Sequence, residues 1–156
     1  MKFRFLAIVG ILIVSVMTGC NNNESHIQEH LSNGDIRETT ASNELPTFLE
    51  DKHDTVQAIY SKVESEEDLL QHIPCYCGCG DTAGHMNNYD CFVHDKTAER
   101  TTWDDHGTKC GVCLDIAVKA IEMKENGKSV KDIRAFIDET YKVGYGKPTP
   151  TPLPEA

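Results

Sequence analysis

Three thiols crowd into the heptapeptide Pro74-Cys75-Tyr76-Cys77-Gly78-Cys79-Gly80. Proline fixes φ on the way in, and the two glycines free the backbone to fold tightly around whatever the sulfurs hold. In an extended segment alternate side chains share a face, so all three sulfurs point the same way. Bridged Cα atoms prefer a separation of roughly 5.5–6 Å, and residues two apart in an extended chain lie further apart than that. These thiols therefore either bond to distant cysteines or share a metal.

A second pair, Cys110-Gly111-Val112-Cys113, follows about thirty residues on, with Cys91 between and His85 and His106 nearby. At a helix start, backbone N–H groups and the helix dipole favour a thiolate, which serves metal ligation and redox exchange alike. His106 can add a nitrogen to that pair, and His85 can do so from the loop. The expected metal ligands are thus Cys75, Cys77, Cys79, Cys91, Cys110, Cys113, His85 and His106. Thiolate-rich sites suit Cu(I), Zn(II) or iron–sulfur clusters. A cluster does not fit an oxidising surface, and hard cations lack clustered carboxylates, which leaves Cu(I) and Zn(II). Asp81, Asp90, Asp95, Asp104 and Asp105 are expected to be solvated loop and cap residues.

The elements that position these residues are read from periodicity. Val56, Ile59, Tyr60 and Val63 fall at helical spacing and predict a helix over about Asp54 to Val63. Ser65 with Asp68 predicts a short helix through Leu69 and Leu70 that Pro74 ends, so the heptapeptide begins at a helix exit. Residues 81–105 are rich in Gly, Asn, Asp and Thr and predict loops, with a small hairpin from Cys91-Phe92-Val93 and Thr101-Thr102-Trp103. Cys113, Ile116, Ala117, Ala120 and Ile121 share one face of a helix that Asn126-Gly127 stops. Ser129 with Asp132 opens a last helix whose Val130, Ile133, Ile137 and Tyr141 face inward. The expected fold is mainly α: a small single domain with an N-terminal helix pair, a Cys-rich loop region and a C-terminal antiparallel helical hairpin.

Outside that domain, Lys2 and Arg4 precede an apolar or small run from Phe5 to Met17 and then Thr18-Gly19-Cys20. The run is shorter than the roughly 20 residues that span a bilayer, so residues 1–19 read as an export signal. Met17-Thr18-Gly19-Cys20 resembles a bacterial lipobox, in which the cysteine is lipid-modified. Cys20 is then the lipidation site, and the chain sits on the outer face of the cytoplasmic membrane, where thiols are not kept reduced. Residues 20–44 are polar without sustained period and are expected to form the lipid anchor and a flexible tether; 45–147 form the Cys-rich domain, and 148–156 a Pro-rich tail. Loss of Lys2 and Arg4 with the signal makes the formal charge of −10 two units more negative. So acidic a surface repels phosphate backbones and argues against nucleic-acid binding.

Removing Cys20 from the seven cysteines leaves an even number, which fits a disulfide framework as well as a metal site. Three readings stay open. One is a soft-metal binding lipoprotein. Another is a disulfide-stapled module that binds a protein partner of unknown identity. The last is a thiol–disulfide exchange factor working through Cys110 and Cys113. No Gly-rich phosphate loop, Gly-x-Ser-x-Gly elbow or His-Glu-x-x-His pair points to a hydrolase or a cofactor enzyme.

Ile73 to Gly80, Gly84-His85, Cys91-Phe92-Val93, Trp103 to Gly107 and Cys110 to Ile116 together resemble the PCYCGC-motif lipoproteins of Gram-positive bacteria, over about Pro46 to the end. That resemblance implies the lipid anchor at Cys20 and an extracytoplasmic place, and it names no ligand. The C-x-x-C, its helix, and Gly127-Lys128-Ser129 with Ile133, Phe136 and Tyr141 are also similar to the helical thiol protein of cytochrome c maturation. That likeness covers the C-terminal third alone and lacks the heptapeptide.

Overall fold

In the computed structural model, which describes residues 26–154, the domain is mixed α/β. A four-stranded antiparallel sheet of order β1-β2-β4-β3 corrects the mainly α expectation. Its strands are β1 (Ile27–His30), β2 (Ile36–Ala41), β3 (Val93–Lys96) and β4 (Arg100–Asp104). The helices are α1 (Asp54–Val63), α2 (Glu67–Leu70), α3 (Cys79–Thr82), α4 (His106–Lys109), α5 (Gly111–Glu125) and α6 (Val130–Tyr141). The export signal and the lipobox at Cys20 lie outside the described residues.

Half of the sheet comes from the stretch expected as a tether. β1 and β2 form a hairpin through Asn33-Gly34, with Gly34 at φ 88°, a conformation open to glycine because it has no Cβ. β2 then pairs with β4, setting Arg37 opposite Asp104 and Glu38 opposite Trp103. The side of β2 turned inward carries Glu38 and Thr40, both fully buried. Glu38 accepts hydrogen bonds from the Thr47 backbone N–H (2.8 Å), the Thr47 hydroxyl (2.9 Å) and Gln28 (2.8 Å), and it pairs with His26 Nδ1 at 2.5 Å. The Trp103 indole N–H donates to Thr40 Oγ1 at 2.9 Å.

Helices cover the sheet through an aromatic cluster of Phe48, Tyr60, Phe92 and Trp103, with ring centroids 5.1–6.1 Å apart. α5 is the central helix and touches α1, α2, α4 and α6. Its buried residues are Cys113, Ile116, Ala117, Ala120 and Ile121, the face that periodicity predicts. α6 buries Ile133, Ile137 and Tyr141, and the Ser129 side chain caps it by accepting from the Asp132 N–H. At Gly107 a Cβ would lie 2.6 Å from the Phe92 ring and 2.8 Å from the Tyr60 hydroxyl, so only glycine lets α4 approach the aromatic cluster.

The Pro-rich tail is also part of the domain. The Thr149 N–H donates to Cys75 O and the Cys75 N–H to Thr149 Oγ1, both at 2.9 Å, while the Gly146 N–H donates to Tyr76 O at 2.8 Å. Residues 146–151 thus form a strap along the heptapeptide. Thr149 and Thr151 are buried.

Candidate metal centre

Pro74 ends the run after α2, and Cys75 to Cys77 continue without helix or strand. Gly78 then turns the chain at φ 85° and α3 starts at Cys79. The heptapeptide is therefore extended only in its first half, and a left-handed glycine brings the third sulfur back to the other two. Cys75 and Cys77 are 3.4 Å apart at sulfur. From the far side α5 delivers Cys113, fully buried, with its sulfur 3.1 Å from Cys75 and 3.5 Å from Cys77.

Three overlapping donor groups result. Cys75, Cys77, Cys79 and Cys113 form one, Cys77, His106, Cys110 and Cys113 the next, and Cys79, His85 and His106 the last, with all ligand atoms in a group within 4.8 Å of one another. Every expected ligand except Cys91 belongs to at least one. Cys91 is buried with its sulfur 3.7 Å from Cys79, behind the groups rather than within one. All six cysteines among the described residues are free.

His106 is set from behind by a carboxylate. His106 Nδ1 meets Asp35 Oδ2 at 3.2 Å, which leaves Nε2 toward the sulfurs, 3.8 Å from Cys77. Asp35 stands at the end of the β1–β2 turn and is itself held by Lys109 at 3.2 Å. The His106 N–H donates to Asp104 Oδ1 at 3.0 Å, and Arg37 Nε donates to Asp104 Oδ2 at 3.2 Å. Asp104 and Asp105, expected to be solvated, are buried, and Asp104 lies 3.8 Å from His85 Nε2. That separation is a charge contact, too long for a hydrogen bond. Both ring nitrogens of buried His85 lack a hydrogen-bond partner.

Asp35 and Asp104 orient the donors and were not foreseen from the sequence. The Asn33-Gly34 pair was the available signal for a hairpin ending at Asp35.

Protonation follows from this crowding. Hydrogen bonds from Cys113 and Cys77 pull the Cys75 thiol down to about 4. Hydrogen bonding to Cys110 and Cys113 likewise lowers Cys77, and Cys113 and Cys75 lower Cys79. Cys113 is pushed the other way, by Cys110, Cys75 and its other sulfur neighbours, and stays a thiol. Burial opposes a charged His85, but Asp104 and Cys79 outweigh it and raise its pKa to about 9. Cys77 and Cys79, with Asp35 behind, raise His106 to about 11. These directions favour negative charge on the heptapeptide sulfurs and positive charge on the two rings, and a soft cation displaces the protons its ligands still hold.

A family model described as a protein of unknown function with PCYCGC motif matches residues 5–154. The chain belongs to that family. No curated protein and no solved structure matches it. The PCYCGC residues of the family's description, Pro74 to Cys79, are the ones that supply three sulfurs to the Cys-rich cluster, and this cluster can hold a metal ion. Among the described residues no helix is long and apolar enough to cross a membrane.

Proposed function

We propose that this chain is a lipid-anchored, extracytoplasmic metal-binding protein whose thiol cluster holds a soft cation, Cu(I) or Zn(II). The observation that carries the reading is the convergence of Cys75, Cys77, Cys79 and Cys113, four sulfur donors within 4.8 Å of one another. Four is the number that a tetrahedral structural site takes, and thiolate donors select soft ions. The Asp35 carboxylate behind His106 fits the usual outer support of metal-bound imidazole. The anchor at Cys20 and the place on the outer face of the cytoplasmic membrane are supported by the lipobox-like Met17 to Cys20.

Thiol–disulfide exchange through the C-x-x-C pair is less well supported. Cys113 is fully buried and its thiol is raised by the surrounding sulfurs. Cys110 is also raised: the bond to Cys113 lowers it, but Cys77 and burial prevail. An exchange nucleophile needs an accessible, low-pKa sulfur. A three-disulfide staple keeps one observation in its favour, the contacts of Cys75 with Cys113 and Cys79 with Cys91.

Native mass spectrometry of the full chain, reduced and offered Cu(I) or Zn(II), tests the proposal. Defined metal uptake is expected, with loss when Cys75, Cys77 and Cys79 all become serine. Absence of uptake, together with no free thiols in protein purified without reductant, would establish the staple instead.

A further inference from the structure

The donors outnumber what one ion can use. We propose that the centre holds two ions joined by two bridging thiolates, Cys77 and Cys113; this rests on the metal-binding reading above and adds its nuclearity. The two four-donor groups have only those sulfurs in common. Each group then completes itself with a separate pair, Cys75 and Cys79 on one side, His106 and Cys110 on the other. Two four-coordinate ions that share two ligands need six donors in all, and six are present.

Geometry agrees with the shared edge. Two sulfurs that bridge a pair of ions at bonds of about 2.3 Å, with an angle at the metal near 100°, sit about 3.5 Å apart. Cys77 and Cys113 are 3.5 Å apart at sulfur. The pairs Cys75–Cys79 and His106–Cys110 fall in different four-donor groups, and Cys79 and His106 meet only in the third group.

Chain placement separates the halves in the same way. Cys75 and Cys79 flank Cys77 in the heptapeptide, whereas His106 and Cys110 lie at the two ends of the α4 turn that leads into α5. The third group adds no third ion. It needs His106, whose Nδ1 is already engaged by Asp35, so a single nitrogen is left to serve one ion. His85, buried with neither ring nitrogen hydrogen-bonded, shares a group only with Cys79 and His106 and is not needed to complete either four-coordinate ion. Ligands that are still protonated, thiol or imidazolium, give their protons to solvent as the ions enter, and no electron is transferred.

The test is anaerobic titration of the reduced, metal-free full chain with Co(II). Absorbance is expected to saturate at two equivalents, while the electron paramagnetic resonance signal grows over the first equivalent and falls over the second as the bridged spins couple. In parallel, the double variant His106→Ala, Cys110→Ser is offered Zn(II) and weighed by native mass spectrometry. One ion is expected where the parent takes two. Saturation of the parent at one equivalent overturns the pair and leaves the metal-binding reading standing. Two equivalents with undiminished signal overturn the bridge, two ions in the double variant overturn the ligand assignment, and no uptake at all overturns both this inference and the reading beneath it.

Discussion

Two buried polar pockets lie on this domain, and they are built on opposite terms. Around Glu38, every charge has its answer: two donors from Thr47, one from Gln28, and His26 at 2.5 Å. Around Cys77 and Cys113, sulfurs stand 3.1–3.5 Å from one another and both nitrogens of His85 have no partner. A pocket whose hydrogen bonds close upon themselves holds a fold together. One whose donors converge with valences unspent is made for something that arrives later. Burial of polar groups is common to both, so the incomplete pairing is the mark of function.

The comparison breaks most sharply at Cys113. Structural zinc sites gain roughly 10–16 kcal/mol from about four ligands, so the loss of one costs on the order of 3 kcal/mol. Cys113→Ser is expected to weaken metal binding more than a hundredfold in competition with a chromophoric chelator, while the metal-free protein keeps its circular dichroism. Equal affinity in the variant would show that the sulfurs are packing residues.

Glu38→Ala should do the reverse. It orphans the donors from Thr47 and Gln28, a loss of about 2–3 kcal/mol in chemical denaturation, with metal stoichiometry unchanged. The effect has a pH signature. Burial raises the Glu38 pKa, but the Thr47 N–H, His26 and Gln28 prevail and hold it below its ordinary 4.5. Its contribution is therefore complete above pH 4.5 and fades as pH falls through the lowered folded value. Glu38→Gln is expected to flatten that acid limb, measured as unfolding free energy against pH.

Asp35→Asn sharpens the contrast from the supporting layer. With the charge behind His106 removed, metal affinity should fall by roughly 10- to 100-fold. Unfolding of the metal-free protein should also lose the stabilisation that His106⁺ draws from Asp35. Because the His106 pKa is raised, that stabilisation is present below about pH 6.5 and disappears as pH rises toward about 11. The smallest effect is expected at Ser129→Ala, which removes the α6 cap at a cost of about 1 kcal/mol in thermal unfolding. It lies in neither pocket and should leave metal uptake alone.

Helices were legible because their buried faces are apolar. Ile59, Tyr60 and Val63, the Cys113 to Ile121 face, and Ile133, Ile137 and Tyr141 announce themselves by spacing. The outer half of the sheet was not legible, since β2 turns Glu38 and Thr40 inward and β1 is exposed along its length. Alternation is a signal of strand only when one face is apolar, and here the inward face is polar and satisfied from elsewhere in the chain. Seven of the eight expected metal donors do meet in the donor groups, because residue type alone marks a soft ligand. Their carboxylate supports could not be found that way. Asp35 is 71 residues from His106 and reaches it only through the pairing of β2 with β4.

The strap of residues 146–151 gives the site a place in time. Both backbone groups of Cys75 are bonded to Thr149, and Gly146 lies so close to the Cys77–Gly78 peptide that a Cβ there would come within 2.9 Å of the Gly78 nitrogen. A chain is made from its N-terminus at about 5–20 residues per second, so the heptapeptide emerges several seconds before its strap. Until residues 146–151 follow, the thiols lack the segment that bonds the Cys75 backbone, so the heptapeptide waits for its strap.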